Sequence, residues 1–204
     1  MICLLALGAL ALAAKPSVAQ GSSAGLSGNC TAAIHQVAQQ GVSNVQSAVL
    51  SVLPYCGKAG ATVTATSITI SRHSSDTLML TRLYRAVDRW RDAVVMKAAL
   101  DVTSDGGATV PARVYALRHL IQLVNPGQYF GYGNLIVGDV DGQGANSNTI
   151  TRGCHRMLAS GRADVSATPL VSDYEQRIRA LATNLAGSSS APIALRNAAA
   201  CLDN

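Results

Sequence analysis

The segment most suggestive of chemistry runs from Asp139 to Ile150. Asp139, Asp141 and Gln143 place oxygen donors at the first, third and fifth positions of a calcium-type loop, and Gly144 stands at the sixth. The twelfth position, where a bidentate carboxylate closes such a site, is Ile150. That ligand set favours an ordinary Gly/Asn/Asp loop over a cation site, so no metal is expected. Cys154-His155 sets a thiol beside a base, the pairing of a thiol nucleophile, yet a sulfur held in a disulfide cannot attack. His35, His73, His119 and His155 lack ligand spacing such as H-E-x-x-H and read as helix-surface or loop residues. No phosphate loop, dinucleotide fingerprint or G-x-S-x-G elbow occurs, so no cofactor and no catalytic residue is assigned.

Two surfaces remain as candidate binding residues. Arg82, Arg85 and Arg89 fall at i, i+3, i+7 and share one helix face, with Arg91 beside them and Asp88 and Asp92 placed to neutralise part of the charge. Tyr129, Phe130 and Tyr132 cluster just past a helix end, as loop anchors or partner contacts. The net charge of +5 is mild and aromatics make up 4% of the chain, which speaks against a nucleic-acid partner. The partner class left is another protein or an envelope component; the alternative readings are a secreted hydrolase whose site is built from loop residues near Asp139, Asp141 and His155, and a structural envelope domain.

The elements that would position these residues are mostly helical. Residues 2–14 form an apolar run shorter than the roughly 20 residues of a membrane span, with Ser17-Val18-Ala19 following as a small-residue cleavage site. Residues 1–19 therefore read as a signal peptide cleaved near Ala19, and the mature chain as secreted or periplasmic without a membrane span. Residues 20–28 read as a flexible lead-in, and 29–204 as a single helical domain with a long loop at about 127–168. In an oxidising compartment Cys30, Cys56, Cys154 and Cys201 form two disulfides.

Helical stripes recur along the domain. Ile34 and Val37 mark one helix ending at Gly41; Val45, Val49, Val52 and Leu53 mark a second that Ser43 caps. Ala61 to Ile70 is rich in β-branched residues, but a lone strand has no partner for its backbone, so it too is read as helix. Leu80, Leu83, Tyr84 and Val87 follow an Asp76 cap, Val95, Ala98, Ala99 and Val102 follow Trp90, and Leu117, Leu120, Ile121 and Val124 follow Pro111. Ser172 and Glu175 form a capping box before Ile178, Leu181 and Leu185, and Pro192 opens the last helix.

Two of these helices resemble each other. Ala116-Leu117-Arg118 after Pro111 matches Ala194-Leu195-Arg196 after Pro192, and each lies in the second helix of a pair. The likeness, over Asp76 to Asn125 and Pro169 to Leu202, resembles a degenerate HEAT-like repeat. It implies a mainly α fold of short antiparallel helix pairs, stacked as a small solenoid or an irregular helical bundle, and a binding or scaffolding role. If sequence-adjacent helices pack together, the cysteines pair locally, Cys30 with Cys56 and Cys154 with Cys201.

Overall fold

The computed structural model describes residues 21–88, 90–124 and 172–202, with side chains described from residue 27 in the first helix and from residue 173 in the seventh. Among the described residues there are eight α-helices and no strand. In chain order they are α1 (Gly21–Gln40), α2 (Ser47–Leu50), α3 (Gly57–Ser71), α4 (Thr77–Ala86), α5 (Ala93–Ser104), α6 (Val110–Val124), α7 (Ser172–Gly187) and α8 (Ile193–Ala199). Short 3-10 turns cover Leu53–Tyr55 and Ala200–Leu202.

The starts of α4, α5 and α6 follow directly from side-chain chemistry. Asp76 Oδ1 accepts from the Leu78 and Met79 amides at 2.9 and 3.0 Å, and Asp92 Oδ1 from those of Val94 and Val95 at 2.8 and 3.3 Å. Each carboxylate satisfies two amides that a helix start leaves without partners. Thr109 does the same for Ala112 at 3.3 Å. At the other end of α1, Gly41 takes a φ of +70° and returns its amide to the Val37 carbonyl at 3.0 Å, a glycine stop. Helix α3 confirms the reading of 61–70 despite its β-branched content. Its hydroxyls bond back along the helix: Thr62 to Lys58, Thr66 to Thr62, Ser67 to Val63 and Thr69 to Ala65, each at 2.9 Å. The polar groups that could have competed with the helix are thereby spent inside it.

Two expectations are corrected. Residues 21–28, read as a flexible lead-in, are the first turns of α1. Extending a helix nucleated further along adds a hydrogen bond per residue without a second nucleation cost. The stripe from Val45 to Leu53 is not one continuous helix capped by Ser43. It is broken into α2, with Gln46 at its N-cap, and the 3-10 turn that carries Pro54. There the chain must turn to bring Cys56 onto Cys30, with Cα atoms 5.4 Å apart, and Pro54 cannot donate the amide that a continuing helix requires. At Gly60 the start of α3 passes so close to the Leu53 carbonyl that a Cβ would collide with it.

Packing between the helices has a simple order. The odd helices lie side by side, α1 on α3, α3 on α5 and α5 on α7; the even ones do likewise, α2 on α4, α4 on α6 and α6 on α8. The pairs α1/α2, α3/α4, α5/α6 and α7/α8 join the two layers, and α6 also packs on α7. Hydrogen bonds fix the alignment. The Thr109 amide, in the α5–α6 turn, donates to the Arg72 carbonyl in the α3–α4 turn at 2.8 Å, and the Thr109 hydroxyl donates to the Ser74 carbonyl. Tyr174 at the start of α7 donates to the Ala93 carbonyl at the start of α5 at 3.1 Å, which brings the starts of those helices together. Corresponding turns and helix ends of successive pairs are thus stacked on each other. The look-alike helices, α6 and α8, occupy equivalent places and pack together.

The interior falls into two apolar clusters. The larger gathers side chains from α1 to α6 with Ile178 of α7; the smaller joins Val114, Leu117 and Ile121 of α6 to Ala182 of α7 and to Leu195, Ala198 and Ala199 of α8. Helix α6 contributes to both, and side chains all round it are buried. No helix among the described residues is long and apolar enough to cross a membrane.

Cys30 and Cys56 form the predicted disulfide, pinning the middle of α1 to the residue that precedes α3. Cys201 is also disulfide-bonded, and Cys154 lies outside the described residues. Glu175 departs from the capping-box reading: it accepts from Arg179 one turn on at 2.9 Å, an i,i+4 pair on the exposed face of α7.

Candidate functional site

Helix α4 carries the candidate surface that the described residues contain. Its amphipathic pattern turns Met79, Leu80, Leu83 and Tyr84 inward. Position i, i+4, i+7 spacing then leaves Leu78, Arg82 and Arg85 on the other side: Leu78 is 59% exposed, Arg82 half-buried and Arg85 exposed. The acids expected to neutralise this face do not reach it in that role. Asp92 is committed to capping α5, and Asp88 is buried at 9% exposure. Neither Arg82 nor Arg85 makes an ion pair among the described residues. Arg91 is turned away, donating to the Leu123 carbonyl at 3.4 Å. The result is a small apolar-plus-cationic patch, the combination that supplies contact area and fixed donors together. Arg89, Tyr129, Phe130, Tyr132, Asp139, Asp141, Gln143 and His155 lie outside the described residues.

Behind the patch sits a group of polar side chains of which periodicity singled out Tyr84 alone. His119, on α6, is fully buried, which corrects its reading as a surface residue. Its ring stands 5.9 Å from that of Tyr84, and Tyr84 stands 6.2 Å from Tyr115. Tyr115 and Thr81 share a hydrogen bond of 2.9 Å that links α4 to α6. Among the described residues neither His119 nitrogen has a hydrogen-bond partner, nor has the Tyr84 hydroxyl. Burial alone holds the His119 imidazole neutral, with its pKa down at about 4, and pushes the Tyr84 phenol upward. The Tyr115 phenol is also raised by burial, which outweighs the opposing hydrogen bond from Thr81.

A histidine sealed from solvent with a pKa near 4 is poorly matched to proton transfer near neutral pH, where a base poised close to the working pH is most effective. It costs stability instead, because an imidazole buried without partners has lost its bonds to water. The available signal was the composition of α6 itself. Apolar residues occupy more than one face of Val110–Val124, so a polar residue within it is enclosed whichever way it points.

Among the described residues no group of three His, Cys, Asp or Glu side chains converges as a metal site would require. Compared with family models, with curated proteins and with solved structures, the chain matches none of them. The fold and the patch define an all-α, two-layer helical stack with a cationic face on α4 that no acid among the described residues pairs.

Proposed function

We propose that this is an exported, HEAT-like helical-repeat protein that binds another protein or an envelope component through the outer face of α4, without a catalytic step of its own. The observation that carries the reading is the patch of Leu78, Arg82 and Arg85, whose charges no described acid neutralises. Stacked helix pairs support it, since they present extended surfaces on which a partner is recognised by side chains spaced along a helix. The Cys30–Cys56 disulfide supports an oxidising destination.

The test is site-specific photo-crosslinking in the producing cells, with p-benzoylphenylalanine in place of Leu78. A discrete adduct is expected, reduced at least tenfold when Arg82→Glu and Arg85→Glu are added, because reversed charges at an interface slow association and repel a complementary partner. An equal adduct from the same probe at exposed Val94 on α5 would contradict the assignment to α4. Turnover of an ester, peptide or glycoside panel by the purified protein, unchanged in the double variant, would instead favour a secreted hydrolase with its site near residues 139–155.

A further inference from the structure

A second site lies away from the arginine face. The C-terminal end of α1, the turn after it, α3 and the first turn of α4 enclose a cleft of about 490 Å³. That size falls within the range of pockets that hold small organic molecules, roughly 300–1,000 Å³. Its apolar lining comes from Val37, Val42, Val63, Ile70 and Met79, and none of the described residues that line it is charged. Ile70 is 71% exposed, an apolar side chain at the edge of the cleft that the fold leaves uncovered.

The polar part of the wall has a definite sense. Thr62, Thr66, Ser67 and Ser71 line the cleft from one side of α3. Each has already donated its single hydroxyl proton to a carbonyl of its own helix, Thr62 to Lys58, Thr66 to Thr62, Ser67 to Val63 and Ser71 to Ile68, at 2.8 to 2.9 Å. A hydroxyl has one proton and two lone pairs, so these four present acceptors only. The hydroxyls of Ser43 and Ser74, in the turns after α1 and α3, keep protons to donate, but along α3 an anion would meet lone pairs, and no described cation lines the wall to hold it. A cation would lose its water with no carboxylate in return. The complement is an uncharged molecule with an apolar body and an O–H or N–H donor.

We infer that this cleft is a binding site for an uncharged, largely apolar small molecule that donates a hydrogen bond to the hydroxyl row of α3. The inference goes beyond the macromolecular reading of α4 and does not depend on it.

Two fluorescent probes that share a ring system separate the terms. N-phenyl-1-naphthylamine is apolar, uncharged and carries one N–H; 8-anilino-1-naphthalenesulfonate adds a sulfonate to the same framework. Titrated into the mature protein, the uncharged amine is expected to saturate at one site per chain and the sulfonate to bind at least tenfold more weakly. Thr66 is exposed, and Thr66→Trp at that position is expected to abolish the amine signal without changing the helical circular dichroism or the melting temperature. Thr62→Val with Thr66→Val keeps the shape, removes two acceptors, and is expected to weaken the amine at least fivefold. Arg82→Glu with Arg85→Glu is expected to leave it unchanged, which separates failure here from failure at α4. Equal affinity for the two probes, no saturable amine binding, or amine binding indifferent to both threonine variants would overturn the assignment.

Discussion

Replacing His119 by leucine is expected to stabilise the protein by about 1–3 kcal/mol at pH 7, the range for relieving a buried polar group of its lost solvation. The imidazole is fully buried and neither nitrogen has a partner among the described residues, so no described hydrogen bond repays its polarity. Leucine is close in volume and fits a helix interior, where it adds apolar contact with the neighbouring ring of Tyr84.

The effect grows in acid, and its direction follows from linkage. The unfolded chain takes up a proton at His119 near the ordinary pKa of 6.5, whereas the folded chain resists until about pH 4. Above pH 6.5 the group is neutral in both states and contributes no pH dependence. Between 6.5 and 4 the unfolded state binds the proton preferentially, and the wild type loses stability by roughly 3 kcal/mol in total, at 1.36 kcal/mol per pH unit of pKa difference. His119→Leu lacks that component. Urea melts at pH 7.5 and pH 5 check it: the gap between variant and wild type widens by about 2 kcal/mol on acidification, given the same conversion. A gap that stays constant, or a variant less stable than wild type at both values, would mean the imidazole is held by bonds to its surroundings.

The second large effect is removal of the Cys30–Cys56 bridge. The bond spans a sequence separation of 26 and joins α1 to the start of α3. Closing a loop of that length restrains the unfolded chain by about 3.5 kcal/mol in the chain-entropy treatment, within the usual range of 2–4. Its position adds to its importance, because the first helix pair has a neighbour on one side only and α2 is a single turn. Cys30→Ala with Cys56→Ala is expected to lower stability by about 2–4 kcal/mol. The loss is concentrated in α1 and α2, while the second apolar cluster around α6 and α8 keeps its protection. Denaturant melts give the size, and limited proteolysis gives the place: new cleavage before residue 56, none after residue 93. A uniform loss of protection along the chain would show that the bridge supports one undivided core.

Much of this arrangement is legible in the sequence, and the reasons are local. Asp76 announces α4 because a short carboxylate before an apolar stripe has a specific task, capping free amides. The Cys30–Cys56 pairing follows once neighbouring helices are taken to pack together. What was not legible depends on contacts between distant segments. The stripe of Leu117, Leu120 and Ile121 locates α6, but only the arrival of α4, α5, α7 and α8 shows that its other faces are covered and His119 sealed. Asp92 was read as a partner for arginines on α4, since both roles suit a carboxylate at that spacing; capping α5 took precedence. Of the candidate site, Arg82 and Arg85 were visible as a helical face. The cleft was not, because Val37, Val63 and Met79 come from three helices and none of their local patterns distinguishes a cavity wall from a core.

The central structural claim is that, among the described residues, each helix pair packs mainly on its neighbours, with α6 joining two apolar clusters. Native-state hydrogen exchange of the mature protein, followed by mass spectrometry across a series of sub-denaturing urea concentrations, tests it most directly. In a stack with nearest-neighbour coupling, the end pair opens without the middle. The amides of α7 and α8 are therefore expected to exchange through an opening of lower free energy and weaker urea dependence than those of α3, α5 and α6. A single free energy and a single urea slope shared by α3, α5, α6, α7 and α8 would contradict the stack and describe one cooperative bundle.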